Sequence, residues 1–258
     1  MKSIAKSAII GEGAVIDDDV TVGHYSIIEN NVIIKRGTTI EDHVLLKEGT
    51  EIGENNRICH SALIGGVPQD LKFKGWKTGV KIGNNNTIRE FVTIHRATEK
   101  DGLTTIGNNC FLMAYVHIAH DCSIGNNVII ANATQLGGFT EIEDFAFLSA
   151  LIPVHQYSRI GSYSIIGGGY RITKDVVPFA MAGGEPLKIY GLNIVGLRRN
   201  NFKKETVSLL KMAYSILFDK GINTTQAVSR IKRELPQTAE IKNILTFIEK
   251  SKRGIAKR

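Results

Sequence analysis

An aliphatic side chain stands at nearly every sixth position between Ile4 and Ile172. Of the 29 positions in this register, 26 hold Ile, Leu or Val, and only Asp70, Trp76 and Lys100 interrupt it. A period of six matches neither an α-helix, at 3.6, nor an ordinary strand, at 2. It matches a solenoid in which each hexapeptide supplies a short strand and a turn, and three hexapeptides close one triangular coil. The predicted architecture is therefore mainly β, a parallel β-helix of about 8.7 coils. With stacked strands roughly 4.8 Å apart, it forms a rod of about 40 Å. The sixth-position aliphatic points into the prism. The residue two before it is small or β-branched (Val20, Ser26, Val32, Thr38, Val44, Thr50) and belongs to the same interior. The residue after it is often Gly, Asp or Glu (Gly11, Asp17, Gly23, Glu29), which points to a turn there.

The interruptions predict two polar loops extruded from the solenoid, at 65–81 and 95–105. Loops held on rigid scaffolds carry function disproportionately often. The solenoid is expected to occupy residues 1–190 and a small α-helical domain residues 191–258. In that second segment Phe202–Phe218 reads as an amphipathic helix ended by Gly221. Thr224 or Thr225 caps a second helix stopping near Pro236, and a third runs from about Thr238 to Lys250. Such helices would cover an open end of the solenoid.

Charge is divided unevenly. The formal net charge is +7, but residues 197–258 carry 15 Lys and Arg against 5 Asp and Glu. The rest of the chain is slightly acidic. A basic helical surface is either solvated or a docking face for an acidic partner. No nucleic-acid-binding motif accompanies it. No apolar run approaches the ~20 residues of a membrane span. The N-terminal apolar stretch ends at Gly11-Glu12, too early for a secretory signal. Three cysteines, Cys59, Cys110 and Cys122, lack metal-ligand spacing. A cytoplasmic chain with free thiols is the expectation.

Residues 18 apart stack in a solenoid, so His120, Gly138 and Gln156 form one column. Asp121, Phe139 and Tyr157 form the next, and Ala119, Gly137 and His155 the one before. A histidine beside a glycine backbone N–H suits acyl transfer. The imidazole removes a proton from an alcohol, and the N–H holds the oxyanion of the tetrahedral intermediate. Two histidines within Val116-His117-Ile118-Ala119-His120-Asp121-Cys122, with His155 beyond, exceed what a decorated surface strand requires. Their spacing differs from the three-histidine zinc set of the hexapeptide carbonic anhydrases, and no metal is expected.

Five strings, spread in order over nearly the full length, resemble the UDP-N-acetylglucosamine O-acyltransferases. That hexapeptide-repeat family begins lipid A synthesis in Gram-negative-type bacteria. The strings are Pro68-Gln69-Asp70-Leu71-Lys72, Thr93-Ile94-His95-Arg96, His117-Ile118-Ala119-His120-Asp121-Cys122, Pro153-Val154-His155-Gln156, and Gly191-Leu192-Asn193 with Gly196-Leu197-Arg198-Arg199. The resemblance implies a left-handed β-helix, against the usual right-handed crossover rule, and a homotrimer with sites between adjacent prisms. It implies transfer of a 3-hydroxyacyl chain from the phosphopantetheine of acyl carrier protein to the 3-OH of UDP-N-acetylglucosamine, with no further cofactor. By the same resemblance His120 is the general base, Gly138 the oxyanion-hole residue, and Asp121 orients His120. Gln69, Asp70, Lys72, His117, His155, Gln156, Asn193, Arg198 and Arg199 contact the substrates. Gly168 limits acyl length, and a glycine there leaves room for a long chain. Acidic acyl carrier protein would use the basic C-terminal segment. Two positions depart from the family's habit: Phe139 where many members carry His, and Asn200 in place of an Arg. The alternatives are transfer to a 3-amino UDP-sugar, another hexapeptide acyltransferase, or a structural solenoid. The last would show regular outward rows, and the outward residues here are irregular.

Overall fold

The computed structural model describes residues 2–258. Short parallel strands, most of them two residues long, form three sheets of 11, 8 and 8 strands. As far as Ile166 consecutive strands fall in different sheets, so the chain winds round a triangular prism, as the six-residue period requires. Stacked partners lie 18 residues apart, as in Leu45↔Leu63 and His117↔Gln135. The first loop lengthens this offset to 30, pairing Leu63 with Thr93. The second makes it 24, pairing Thr93 with His117. The insertions thus add 12 and 6 residues, whole hexapeptides, which is why the aliphatic register resumes in phase beyond each loop.

The aliphatic register residues from Val22 onward are buried, as are Val20, Ser26, Val32, Thr38, Val44 and Thr50. The first coil lies open: Ile4, Ile9, Ile10 and Val15 are exposed. Turn chemistry differs from the sequence expectation. The left-handed residue sits three positions after the inward aliphatic and is seldom glycine, as at Tyr25, His43, Phe91, Tyr115, Phe139 and Tyr157. The glycine directly after the aliphatic serves close approach instead. A Cβ on Gly23 would lie 2.7 Å from the Glu41 carbonyl carbon of the next coil.

The solenoid runs past Ile172. Strand Ala180–Gly183 continues the 11-stranded sheet in parallel, and Lys188–Leu192 returns antiparallel to it. Four helices follow: α1 (Ile194–Arg199), α2 (Lys204–Leu217), α3 (Thr224–Glu234) and α4 (Ala239–Glu249). The short α1 and the returning hairpin have no six-residue or long helical period to announce them. Helix α2 ends at Leu217, and Phe218, not Gly221, is its C-cap. Helix α3 is capped by Asn223 rather than by either threonine. Asn223 accepts from the Gln226 N–H while the Gln226 side chain accepts from the Asn223 N–H, a reciprocal capping box. Leu210, Ala213, Tyr214 and Leu217 of α2 join the solenoid core, and the Tyr214 hydroxyl donates to the Pro178 carbonyl. The Arg159 guanidinium donates to the Phe247 carbonyl at 2.9 Å and lies over its ring, tying α4 to the last coil. The helices therefore close the C-terminal end of the prism.

Ile88→Ala is expected to lower unfolding free energy by about 2–5 kcal/mol, because the site is fully buried between coils. Thr21→Ala, at an exposed strand position, is expected to stay within about 0.5 kcal/mol. Urea unfolding followed by circular dichroism measures both, and equal losses would contradict the stacked-core account.

Candidate functional site

Two adjoining cavities lie along one corner of the prism, where both extruded loops leave the coils. The larger, of about 800 Å³, is lined by Gln69, Asp70, Lys72, Trp76, Thr98, His120, Phe139, Gln156 and Tyr157, among others. The second, about 460 Å³, continues over His117, His120, Gly138, His155 and Gln156 on the neighbouring sheet face. Solenoid stacking and the 67–78 connection together converge eight of the sequence-predicted residues here: Gln69, Asp70, Lys72, His117, His120, Gly138, His155 and Gln156.

His120 is 8% exposed and sits at the junction. Its Nδ1 lies 2.8 Å from Asp121 Oδ2. Neighbouring side chains in a flat strand point apart, but Asp121 adopts φ 58° at the corner turn and folds its carboxylate back under the imidazole. Asp121 in turn accepts from the Thr98 hydroxyl at 2.7 Å and the Thr98 N–H at 3.0 Å. A carboxylate only accepts, so the contact puts a proton on Nδ1, and in the neutral ring Nε2 is then the bare nitrogen, at the cavity. Asp70 Oδ2 lies 3.9 Å from Nε2, too far for a hydrogen bond.

Gly138 stacks directly against this ring. A Cβ there would lie 2.7 Å from His120 Nε2, so the contact requires glycine. In the equivalent turns at the next corner, the backbone N–H groups of three successive coils are met by an Asn or Asp side chain of the following coil. Asn84 N–H donates to Asn108 Oδ1, Asn108 to Asn126, and Asn126 to Asp144. At Gly138 no such acceptor is present among the described residues, and the N–H is left unpaired. Phe139 packs edge-on against His120, with centroids 5.5 Å apart, and stacks on Tyr157 at 4.7 Å. The departure from histidine thus places an apolar shelf beside the imidazole.

His95, Thr93 and Thr98 belong to the site's framework but carry no spacing signal of their own. His95 and His117 meet edge to face at 4.9 Å, and His117 Nδ1 lies 2.7 Å from Thr93 Oγ1. The other sequence-predicted residues lie elsewhere on this chain. Asn193 caps α1, accepting from the Gly196 N–H and donating to the Tyr163 carbonyl, so its amide is committed to the backbone. Arg199 and Asn193 line a separate cavity of about 320 Å³ with Phe145, Phe147 and Tyr163. Arg198 is exposed on α1, and Gly168 is exposed on the last coils. Among the described residues, no group of three His, Cys, Asp or Glu side chains is arranged to hold a metal, and no helix is long and apolar enough to cross a membrane.

Burial shapes the titration of the surrounding groups. It pushes the Cys122 thiol up to about 12, which rules out a thiolate nucleophile beside Asp121 at neutral pH. It pushes His117 down to about 4, with repulsion from His95 and His120 adding to the effect, and lowers His95 as well. Both imidazoles are therefore neutral donors or acceptors at pH 7. A folded-state value below the ordinary 6.5 means that the unfolded chain takes the proton first. The associated stability is complete above about 6.5 and is lost as pH falls toward about 4. His117→Gln is expected to flatten the pH dependence of the urea midpoint in that window relative to the parent chain. Parallel curves would show that His117 is not held neutral.

A family model described as "Udp N-acetylglucosamine O-acyltransferase; Domain 2" matches residues 175–256, and one for bacterial transferase hexapeptides (six repeats) matches residues 103–138. The chain is 53% identical over 258 residues to an acyl-[acyl-carrier-protein]--UDP-N-acetylglucosamine O-acyltransferase of Thermodesulfovibrio yellowstonii, covering 100% of both. It is 45% identical over 261 residues to the enzyme of the same name from Burkholderia orbicola, with 99% of each covered. Among solved structures, a UDP-N-acetylglucosamine acyltransferase of Francisella novicida superposes with a TM-score of 0.96 at 36% identity, covering 99% of this chain and 94% of the other. One from Campylobacter jejuni gives 0.93 at 38%, covering 99% and 100%. Full-length identity at this level, together with the shared fold, establishes that the chain belongs to the UDP-N-acetylglucosamine O-acyltransferase family.

Proposed function

We propose that this chain moves a 3-hydroxyacyl group from the phosphopantetheine thioester of an acyl carrier protein to the 3-hydroxyl of UDP-N-acetylglucosamine. The observation that carries the reading is the unpaired Gly138 N–H set against the bare Nε2 of His120. A proton acceptor and a preorganised donor side by side are what attack of an alcohol on a thioester requires.

In this mechanism the sugar hydroxyl enters between His120 Nε2 and Asp70, across the 3.9 Å gap. Nε2 takes its proton as the oxygen bonds to the thioester carbon. The carbonyl oxygen becomes an oxyanion, and the Gly138 N–H donates to it. Collapse breaks the carbon–sulfur bond, and the leaving thiolate takes the proton from the imidazolium. Asp121 holds Nδ1–H and stabilises the cation in between. Gln69, Lys72 and Gln156 line the larger cavity, where a sugar nucleotide needs polar contacts. His155 lines the second cavity, and neutral His117 supplies hydrogen bonds there rather than charge.

Asn193, Arg198 and Arg199 do not reach this cavity within one chain. A homotrimer, in which a neighbour's α1 faces the His120 corner, would give the two arginines the diphosphate to bind, and we take that assembly as part of the proposal. The amide of Asn193 would then hold α1 in place rather than bind substrate. Gly168 would allow a long acyl chain. Lys203, Lys204 and Lys211 are exposed and form no ion pair among the described residues, which leaves a cationic surface for an acidic carrier protein.

His120→Ala is expected to lower kcat about 10²–10⁴-fold with the fold retained. Gly138→Ala, which forces the ring from its place, is expected to cost about 10²-fold. Steady-state acyl transfer measures both, and near-normal turnover by a folded His120→Ala variant would remove the base from this account.

A further inference from the structure

The second extruded loop, 96–102, reaches the site at one residue that touches the Asp121 carboxylate. Thr98 places two donors on it: its hydroxyl on Oδ2 at 2.7 Å, and its backbone N–H shared between Oδ2 at 3.0 Å and Oδ1 at 3.2 Å. The remaining partner of Oδ2 is His120 Nδ1 at 2.8 Å. The Asp121 backbone is fixed from the same loop's exit strand, its N–H donating to the buried Thr104 hydroxyl at 2.9 Å. The loop is anchored in its turn. Asp101 N–H donates to the Lys77 carbonyl of the first loop, and Gly102 N–H closes back on the Glu99 carbonyl.

We infer that Thr98 is a positioning residue for the acyl-transfer reaction, the third member of a relay that runs Thr98–Asp121–His120. The inference rests on the reading of His120 as general base. An aspartate carboxylate turns about two side-chain bonds, and the αL turn at Asp121 sets only where those bonds begin. The Thr98 hydroxyl fixes the final rotation, so that Oδ2 faces Nδ1 and the imidazole keeps its proton on that side. Nε2 is thereby held bare beside the Gly138 N–H. Without the hydroxyl the carboxylate retains one shared backbone donor and is free to swing, and the imidazole loses both its orientation and its fixed tautomer. Charge-assisted hydrogen bonds of this kind are the strong ones, and those that orient a base act on turnover rather than on substrate affinity. Both loops supply surface to the cavity, the second through Thr98, Glu99 and Lys100, and Thr98 in addition acts on the imidazole through Asp121. That contact gives the six-residue insertion a purpose that its spacing does not reveal.

The test is Thr98→Val, which keeps the shape and removes the hydroxyl, with Thr98→Ser as the conservative partner. Steady-state transfer is measured for the parent chain, both variants, Asp121→Asn, the Asp121→Asn/Thr98→Val double variant and His120→Ala. The expected result is a kcat about tenfold or more lower for Thr98→Val, with both KM values within about twofold. Thr98→Ser should recover kcat to within about threefold. In the Asp121→Asn background, Thr98→Val should cost less than about twofold more, because the group it positions is already altered. The inference is overturned if Thr98→Val retains kcat within twofold, if it changes KM alone, or if its loss is as large in the Asp121→Asn background. Should Thr98→Val fail to fold, the Ser variant and Thr98→Ala decide by the same comparisons. If His120→Ala itself turns over normally, the base assignment falls. If His120→Ala is inactive while Thr98→Val is normal, only the role of Thr98 falls.

Discussion

The structure depends on the hydrogen-bonded stacking of one coil on the next. Each strand is too short to be stable alone, and two residues bury little. Stacking gives every strand but those at the sheet ends a partner on each side and lines up the inward aliphatics into columns from Val22 to Ile172. Because each coil's position is set by its neighbours, side chains on the corners inherit a fixed vertical spacing. The site at His120 is an instance of this. Its geometry comes less from a dedicated binding fold than from the coil pitch, which sets an imidazole on the backbone of the glycine one turn later.

The rest of the site comes from the places where stacking is interrupted. Both insertions are whole hexapeptides, so neither disturbs the prism, and each leaves the solenoid at the same corner. The first carries Gln69, Asp70 and Lys72 over the cavity, and the second brings Thr98 beneath Asp121. The neighbouring corner has no insertion. There Asn and Asp side chains take up the backbone donors of Asn84, Asn108 and Asn126 in successive coils. At Gly138, on the corner that holds the loops, no side chain among the described residues meets the N–H in this way.

Much of this was legible from the period of six. It yields the prism, the inward residues, the two interruptions and the placing of His120 against Gly138, since each follows from counting along a regular lattice. What it does not yield depends on contacts that no count encodes. The meeting of His120 with its sequence neighbour Asp121 requires a left-handed turn at Asp121, which an aspartate adopts only because the corner imposes it. Thr98 finds Asp121 through the shape of a loop, and Asn193 is drawn into capping α1. The turn glycines were legible as a pattern but not in their purpose, since the lattice places the left-handed residue elsewhere and uses glycine for coil-to-coil approach. Asn223 outcompetes the adjacent threonines because Gln226 stands three residues on to complete the box.

The central claim is that this corner performs acyl transfer to the hydroxyl of a UDP-sugar. The most direct measurement incubates the chain with UDP-N-acetylglucosamine and 3-hydroxyacyl carrier proteins of several chain lengths, and follows the products by mass spectrometry. The account predicts a singly acylated sugar nucleotide whose new bond is an ester, cleaved by mild base, with turnover favouring the longer chains. Failure to acylate UDP-N-acetylglucosamine with any chain length, or base-stable acylation confined to a 3-amino analogue, would contradict it.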